Sequence, residues 1–141
     1  GHIKPGTQVT GLTQNIDFAP TFLDMCGIEI PEDMQGVSFR RLVEGENTPR
    51  NWRKSLYYHY YEFPGFHSVR AHYGVKMERY KLMHFYNDID CWELYDLQED
   101  RMEMHNIYGQ PGTEELVKEL KTELLRLQVQ YDDPIRNIYK D

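Results

Sequence analysis

The sequence predicts an α+β fold, in which an antiparallel sheet of about four strands is packed by a long C-terminal helix. Two segments rich in strand-favouring aromatic and apolar residues, 54–61 and 73–97, supply the strands. Large apolar side chains recur at three- and four-residue spacing in 113–131 and predict the helix. Because a two-stranded hairpin alone is marginal in water, we expect further strands or a helix to cover one face of it.

The stretch 73–97 predicts the hairpin on which the rest of the fold is built. Its first arm, 73–86, interleaves bulky apolar residues with charged ones, and its second arm, 91–97, is dense in aromatic residues. The Asn and Asp residues at 87–90 favour a turn. We therefore expect two strands joined by one polar turn, with 54–61 as a further strand.

A short helix is predicted near the N-terminus. Asp17 is a favourable N-cap, and Pro20 falls in the first turn, where its missing N–H costs nothing. Gly27 is placed to end the helix in the left-handed conformation. The helix has a broad apolar face formed by Phe18, Phe22, Met25 and Cys26. We expect this face to be buried against something larger.

The C-terminal helix is predicted to begin after Thr113, and Glu114 and Glu115 in its first turn suit the helix dipole. Asp132 to Pro134 is expected to end it. Its apolar stripe consists of Leu116, Leu120, Leu124, Leu127 and Tyr131.

The polar run 44–49 reads as an exposed linker and divides the chain into 1–48 and 49–141. The opening, 1–6, has no initiator methionine, which predicts that the chain is part of a longer protein.

Composition and motifs exclude several function classes. The formal net charge of -7 argues against a general nucleic-acid binder, and no apolar run is long enough for a membrane span. Cys26 and Cys91 match no metal-binding pattern, and the acidic turn at 88–90 does not follow the EF-hand spacing. There is no nucleophile-elbow serine, HExxH motif or phosphate-binding glycine loop. The residues therefore predict no catalytic group and no metal site in this chain.

A resemblance adds to this interpretation. NIDFAPTFLDMCGIEIPEDMQGVSFRRLVEG, residues 15–45, resembles the end of the catalytic domain in type I, formylglycine-dependent sulfatases, where a D-x-x-P-T-x-L-x-x-x-G helix precedes a Pro, a G-x-S and a Leu-rich turn. ERYKLMHFY and WELYDLQED resemble the hairpin of the sulfatase C-terminal subdomain, and 104–107 resembles its continuation. The run 57–61 is most similar to bacterial exported sulfatases of sulfated glycans, of the N-acetylglucosamine-6-sulfatase type.

The resemblance implies that 1–48 is the incomplete tail of an alkaline-phosphatase-like α/β catalytic domain, and that 49–141 is the C-terminal subdomain. Sulfatases of this type use a formylglycine made within C/S-x-P-x-R, together with calcium held by Asp and Asn side chains. Neither Cys26 nor Cys91 lies in that frame. We therefore expect formylglycine and calcium in the longer parent enzyme, and we expect this fragment alone to be inactive. The expected partner of the fragment is the parent's own N-terminal catalytic domain. The resemblance also implies a periplasmic or secreted location.

In this family the C-terminal subdomain lies beside the mouth of the active site, so the break between two strands is the candidate substrate contact. Pro64 and Gly65 permit an outward loop in the stretch 62–72. Its polar residues could bind sugar hydroxyls or anionic groups of a sulfated sugar, and they are Glu62, His67, Arg70 and His72.

Other candidates have simpler explanations. The tyrosines in 57–61 could stack on a sugar, but alternating aromatic residues in a strand more often pack. We expect Trp92 to belong to the core and assign no function to His59 or His84.

Three alternatives stay open from the residues. A phosphatase-superfamily phosphoester hydrolase would look similar in this region. A stand-alone carbohydrate-binding module would use the tyrosine strand and the loop around His67. A structural interaction domain would bury the helix at 15–27 against a partner, and self-association of the fragment would follow from that exposed apolar face.

Overall fold

The computed structural model describes residues 1–135, and the chain forms two compact units, Gly1–Lys54 and a second that begins at Ser55. The first unit contains helices α1 and α2, and the second contains a four-stranded sheet and helix α3. The helices span Phe18–Met25, Arg40–Val43 and Glu114–Gln130. The strands β1 to β4 span Ser55–Tyr60, His72–Met77, Tyr80–Phe85 and Cys91–Asp96.

A buried carboxylate organises the first unit. Asp17 occupies the N-cap position of α1 as predicted, but its side chain makes no capping hydrogen bond to that helix. Its two oxygens instead accept hydrogen bonds from the Arg53 guanidinium at 2.6 and 2.8 Å. They also accept the backbone N–H groups of Gln14 and Val37. Asp17 therefore joins segments that are far apart in sequence.

Helix α1 ends as the sequence predicts but leaves its apolar face uncovered. Gly27 has a φ of 66°, and the N–H of Ile28 donates to the Leu23 carbonyl at 2.9 Å, which gives the left-handed helix end. Phe18 is 51% exposed and Phe22 is 60% exposed. Self-association through this face stays a prediction.

The sheet has the order β1-β2-β3-β4, and all its pairs are antiparallel. The predicted fold class is confirmed, but the prediction of a single strand over 73–86 is wrong. The segment folds back at Glu78 and Arg79 and supplies both β2 and β3. The polar turn at 87–90 lies between β3 and β4, as expected.

Helix α3 covers one face of the sheet and closes the core. Leu120, Leu124 and Leu127 of the predicted stripe are buried. They pack with buried residues of β2, β3 and β4, which are Tyr73, Val75, Leu82 and Leu94. Thr113 precedes the helix as predicted, but its hydroxyl donates to the Gln110 carbonyl rather than capping the helix.

Within residues 1–135, no helix combines the length and apolar character needed to cross a membrane. The assignment of 1–48 to a catalytic domain and 49–141 to a subdomain stays a prediction, and its last six residues lie outside the described part of the chain.

Candidate functional site

The two long connections of the sheet lie at the same end. Tyr60 pairs with His72, His72 with Phe85, and Phe85 with Cys91. The β1–β2 loop, residues 61–71, and the β3–β4 turn, residues 86–90, therefore leave the sheet side by side. We call this edge the loop end of the sheet.

The β1–β2 loop is exposed over most of its length, and so are the predicted contact residues Glu62 and His67 within it. The intervening Phe63–Pro64 peptide bond is cis. Phe66 is 93% exposed, and its ring meets that of His67 edge to face at 5.2 Å between centroids. Among residues 1–135, no hydrogen bond or ion pair engages the side chain of His67.

The other two predicted residues are held in place. Arg70 forms an ion pair with Asp88 of the β3–β4 turn and lies over the Phe63 ring at 5.5 Å. The His72 Nδ1–H donates to the Arg70 carbonyl at 2.7 Å, and the His72 ring stacks on Tyr60. The structure thus brings Arg70 and His72 together, while Glu62 and His67 make no hydrogen bond with either.

The tyrosines of β1 pack, as predicted, rather than forming a free platform. Tyr57 stacks on Tyr131 and donates its hydroxyl to Asp133 at 2.6 Å. Burial raises the pKa of Tyr57 far above its usual range, and the Asp133 carboxylate adds to the effect. Tyr61, at the start of the loop, is exposed but stacks on His59.

A buried histidine, to which no local sequence pattern points, lies against the start of the loop. The His59 side chain is 3% exposed. Its Nδ1 lies 2.6 Å from Asp133 Oδ2, and its Nε2 lies 2.8 Å from the Tyr86 hydroxyl. Burial alone would raise the pKa of Asp133, but the hydrogen bonds from Tyr57 and His59 outweigh it, and the pKa is lowered.

A second histidine supports the β3–β4 turn. His84 Nδ1 lies 2.7 Å from the Tyr73 hydroxyl, and its Nε2 lies 2.6 Å from Asp90. Its ring stacks on Trp92 at 4.2 Å, so Trp92 packs within the domain as expected. Burial lowers the pKa of His84, and the Asp90 carboxylate opposes this effect in part.

The described residues do not fit a sulfatase metal or nucleophile site. Within 1–135, no group of three or more His, Cys, Asp and Glu side chains could hold a metal ion. Cys26 is followed by Gly-Ile-Glu and Cys91 by Trp-Glu-Leu, so neither provides the sequence frame for formylglycine. The loop end offers side chains that could bind a ligand, but the described residues include no formylglycine precursor or metal site with which to cleave a sulfate ester.

Comparison with known proteins defines the class. Residues 1–130 match the family described as the C-terminal domain of N-sulphoglucosamine sulphohydrolase, and the chain belongs to this family. An N-acetylglucosamine-6-O-sulfatase from Bacteroides thetaiotaomicron is 50% identical over 132 residues. That match covers 93% of this chain and 24% of the relative. The resemblance to type I sulfatases is thereby confirmed.

Solved structures agree with this assignment. A protein solved in complex with its substrate, D-glucosamine-2-N,6-O-disulfate, superposes with a TM-score of 0.89 and 47% identity. The superposition covers 98% of this chain and 28% of that one. A phosphonate monoester hydrolase from Silicibacter pomeroyi superposes with a TM-score of 0.75 at 28% identity, over 94% of this chain and 28% of its own length. The chain thus spans about a quarter of the length of these relatives. Its identity with the N-acetylglucosamine-6-O-sulfatase is higher than with the phosphonate monoester hydrolase.

Proposed function

We propose that this chain is the C-terminal fragment of an enzyme that hydrolyses sulfate esters of glycans, with the 6-O-sulfate of N-acetylglucosamine as its target. The observation that carries the proposal is the 50% identity with an N-acetylglucosamine-6-O-sulfatase over nearly the whole chain. The similar protein solved with a 6-O-sulfated glucosamine supports the same sugar class. The remainder of the parent supplies formylglycine and calcium, and the parent acts in the periplasm or outside the cell.

Within this proposal, the loop end of the sheet forms part of the rim of the substrate pocket. His67 is the strongest contact candidate because its imidazole is exposed and makes no hydrogen bond or ion pair among the described residues. Arg70 already neutralises Asp88, and His72 already uses Nδ1, so each has less capacity left for a ligand. Glu62 suits sugar hydroxyls rather than sulfate, because a carboxylate repels an anion.

The same proposal accounts for the exposed apolar face of α1. Phe18 and Phe22 present a large apolar surface. We assign it to packing against the remainder of the parent's catalytic domain, which makes that part of the parent the partner of this chain.

The test uses the full-length protein after formylglycine maturation. Sulfate release from 6-O-sulfated N-acetylglucosamine and from D-glucosamine-2-N,6-O-disulfate is expected, with little release from sugars sulfated only at other positions. Turnover of phosphoesters or phosphonate esters in place of sulfate esters would contradict the proposal, as would exclusive action at another sulfate position.

The role of the loop is tested in the same assay. His67→Ala is expected to raise KM by about 10- to 100-fold, because a hydrogen bond to a charged group is worth about 1.5–3 kcal/mol. His105→Ala is the matched control, since His105 is also exposed on a loop but lies outside the loop end. Equal KM values for the two variants would remove His67 from the substrate site.

A further inference from the structure

The His59 side chain contacts the β1–β2 loop, the β3–β4 turn and the segment that follows α3. Its ring stacks on Tyr61, the first residue of the loop, with 3.8 Å between centroids and 24° between the planes. Its Nε2 bonds Tyr86, the first residue of the turn. Its Nδ1 bonds Asp133, just beyond the C-terminus of α3.

The chemistry of the partners fixes the orientation of the imidazole. Asp133 has a lowered pKa, and an ionised carboxylate only accepts hydrogen bonds, so His59 Nδ1 must carry a proton. The Tyr86 hydroxyl can donate to a neutral Nε2 or accept from a protonated one. Hydrogen bonds at both nitrogens therefore hold the ring in place.

Asp133 is itself held from several sides and gives the ring a rigid support. Its Oδ2 accepts the Tyr57 hydroxyl at 2.6 Å, and its Oδ1 accepts the N–H of Ile135 at 2.7 Å. Its own N–H donates to the Gln128 carbonyl at 2.9 Å. The end of α3 is thereby coupled to the start of both connections at the loop end.

We infer that His59 is a positioning residue for the proposed substrate rim: it fixes where the β1–β2 loop and the β3–β4 turn leave the sheet and thereby sets the position of His67. The inference rests on the proposed function for its link to substrate. His59 itself is too buried to touch a ligand and acts through Tyr61 and Tyr86. The Arg70–Asp88 ion pair also joins the β1–β2 loop to the β3–β4 turn, nearer the surface. The buried His59 contacts and this exposed ion pair therefore hold the two segments together.

Two variants separate positioning from folding. His59→Asn keeps an amide donor near the place of Nδ1 for Asp133, but it removes the ring under Tyr61 and the partner of Tyr86. His59→Phe keeps a ring but removes both hydrogen bonds. Ser55→Ala is the matched control. Ser55 lies in β1, as His59 does, but at the opposite end of the strand, and its hydroxyl bonds Glu123 of α3.

The experiment measures the full-length enzyme with two substrates, 6-O-sulfated N-acetylglucosamine and a small aryl sulfate without a sugar. His59→Asn is expected to raise KM for the sugar about tenfold, since a small displacement of a contact group weakens productive binding, and to leave aryl sulfate turnover within twofold of wild type. Ser55→Ala should change neither. A parallel loss with both substrates would show a general structural role and overturn the inference.

Limited digestion with trypsin after Arg70 provides a readout that does not need the proposed substrate. His59→Asn and His59→Phe are expected to speed this cleavage about tenfold, whereas Ser55→Ala leaves it at the wild-type rate. Unchanged cleavage in both His59 variants would overturn the inference. If the wild-type enzyme releases no sulfate but cleavage responds as expected, the proposed function fails and the positioning role of His59 stands.

Discussion

At one end of the sheet, β2 passes into β3 through Glu78 and Arg79 alone, whereas at the other end the chain runs through 61–71 and 86–90. The short turn is closed by Arg79, which pairs with both oxygens of Asp96 at the solvent surface. The hydrogen bonds from Arg79 lower the pKa of Asp96. The loop end is instead supported by two buried histidines, His59, which bonds the buried Asp133, and His84, which bonds the exposed Asp90.

The two ends of the sheet therefore differ in how their connections are held: the short turn by a surface ion pair, the long connections by buried side chains. An exposed ion pair contributes little to stability, and a short turn needs little support. Long loops need fixed points if their side chains are to reach a ligand in a defined geometry, and buried polar networks provide such points. The candidate contact residues and the buried histidines therefore occur at the same end.

The largest expected effect comes from breaking the buried support. Asp133→Ala leaves the His59 Nδ1–H and the Tyr57 hydroxyl without their acceptor. We expect it to lower the free energy of unfolding by about 2–5 kcal/mol, because each buried donor left without an acceptor costs about 1–3 kcal/mol. Urea denaturation of the chain followed by circular dichroism measures the change. Asp96→Ala at the short-turn end is the control and should have a much smaller effect; equal effects would show that the two ends do not differ.

A smaller, pH-dependent effect is expected at His84. Because its pKa in the folded chain lies below the ordinary value of 6.5, its contribution to stability is present above pH 6.5. That contribution falls away as the pH drops through the lowered folded-state pKa. Wild-type chain should therefore lose more stability than His84→Gln as pH falls from 7 towards 5. Thermal unfolding at a series of pH values tests this, and parallel curves for the two proteins would rule it out.

The smallest effect is expected from Arg79→Ala. The substitution removes the exposed pair with Asp96 but touches nothing at the loop end. KM and kcat of the full-length enzyme for the 6-O-sulfated sugar should stay within twofold of wild type. A rise in KM like the one expected for His67→Ala would place the short-turn end, rather than the loop end, near the substrate.

The parts of the fold that depend on local patterns could be predicted from sequence. The leucine repeat predicts α3, and the glycine after α1 predicts its end, because both signals lie within the element itself. The break at Glu78 and Arg79 was missed, since neither residue carries the conformational preference of Gly, Asn or Pro. A charged pair between apolar residues resembles the alternation of one continuous strand.

The support of the candidate site depends on long-range pairs that no local pattern reveals. His59 and Asp133 are 74 residues apart, and Asp17 and Arg53 are 36 apart. The expectation that Asp17 caps a helix followed from its neighbours, whereas its burial and its pairing with Arg53 follow from tertiary structure. The loop around His67 was recognisable because Pro64 and Gly65 interrupt an aromatic strand.

Hydrogen–deuterium exchange of the full-length enzyme tests the central claim, that the loop end and not the short-turn end faces the substrate. The enzyme is produced without formylglycine maturation so that it can bind 6-O-sulfated N-acetylglucosamine without turnover. Slower exchange in peptides covering 61–72 and 86–90 upon addition of the sugar, with no change at 78–79, is the predicted result. Protection confined to 78–79, or none in either region when binding is saturated, would contradict the account.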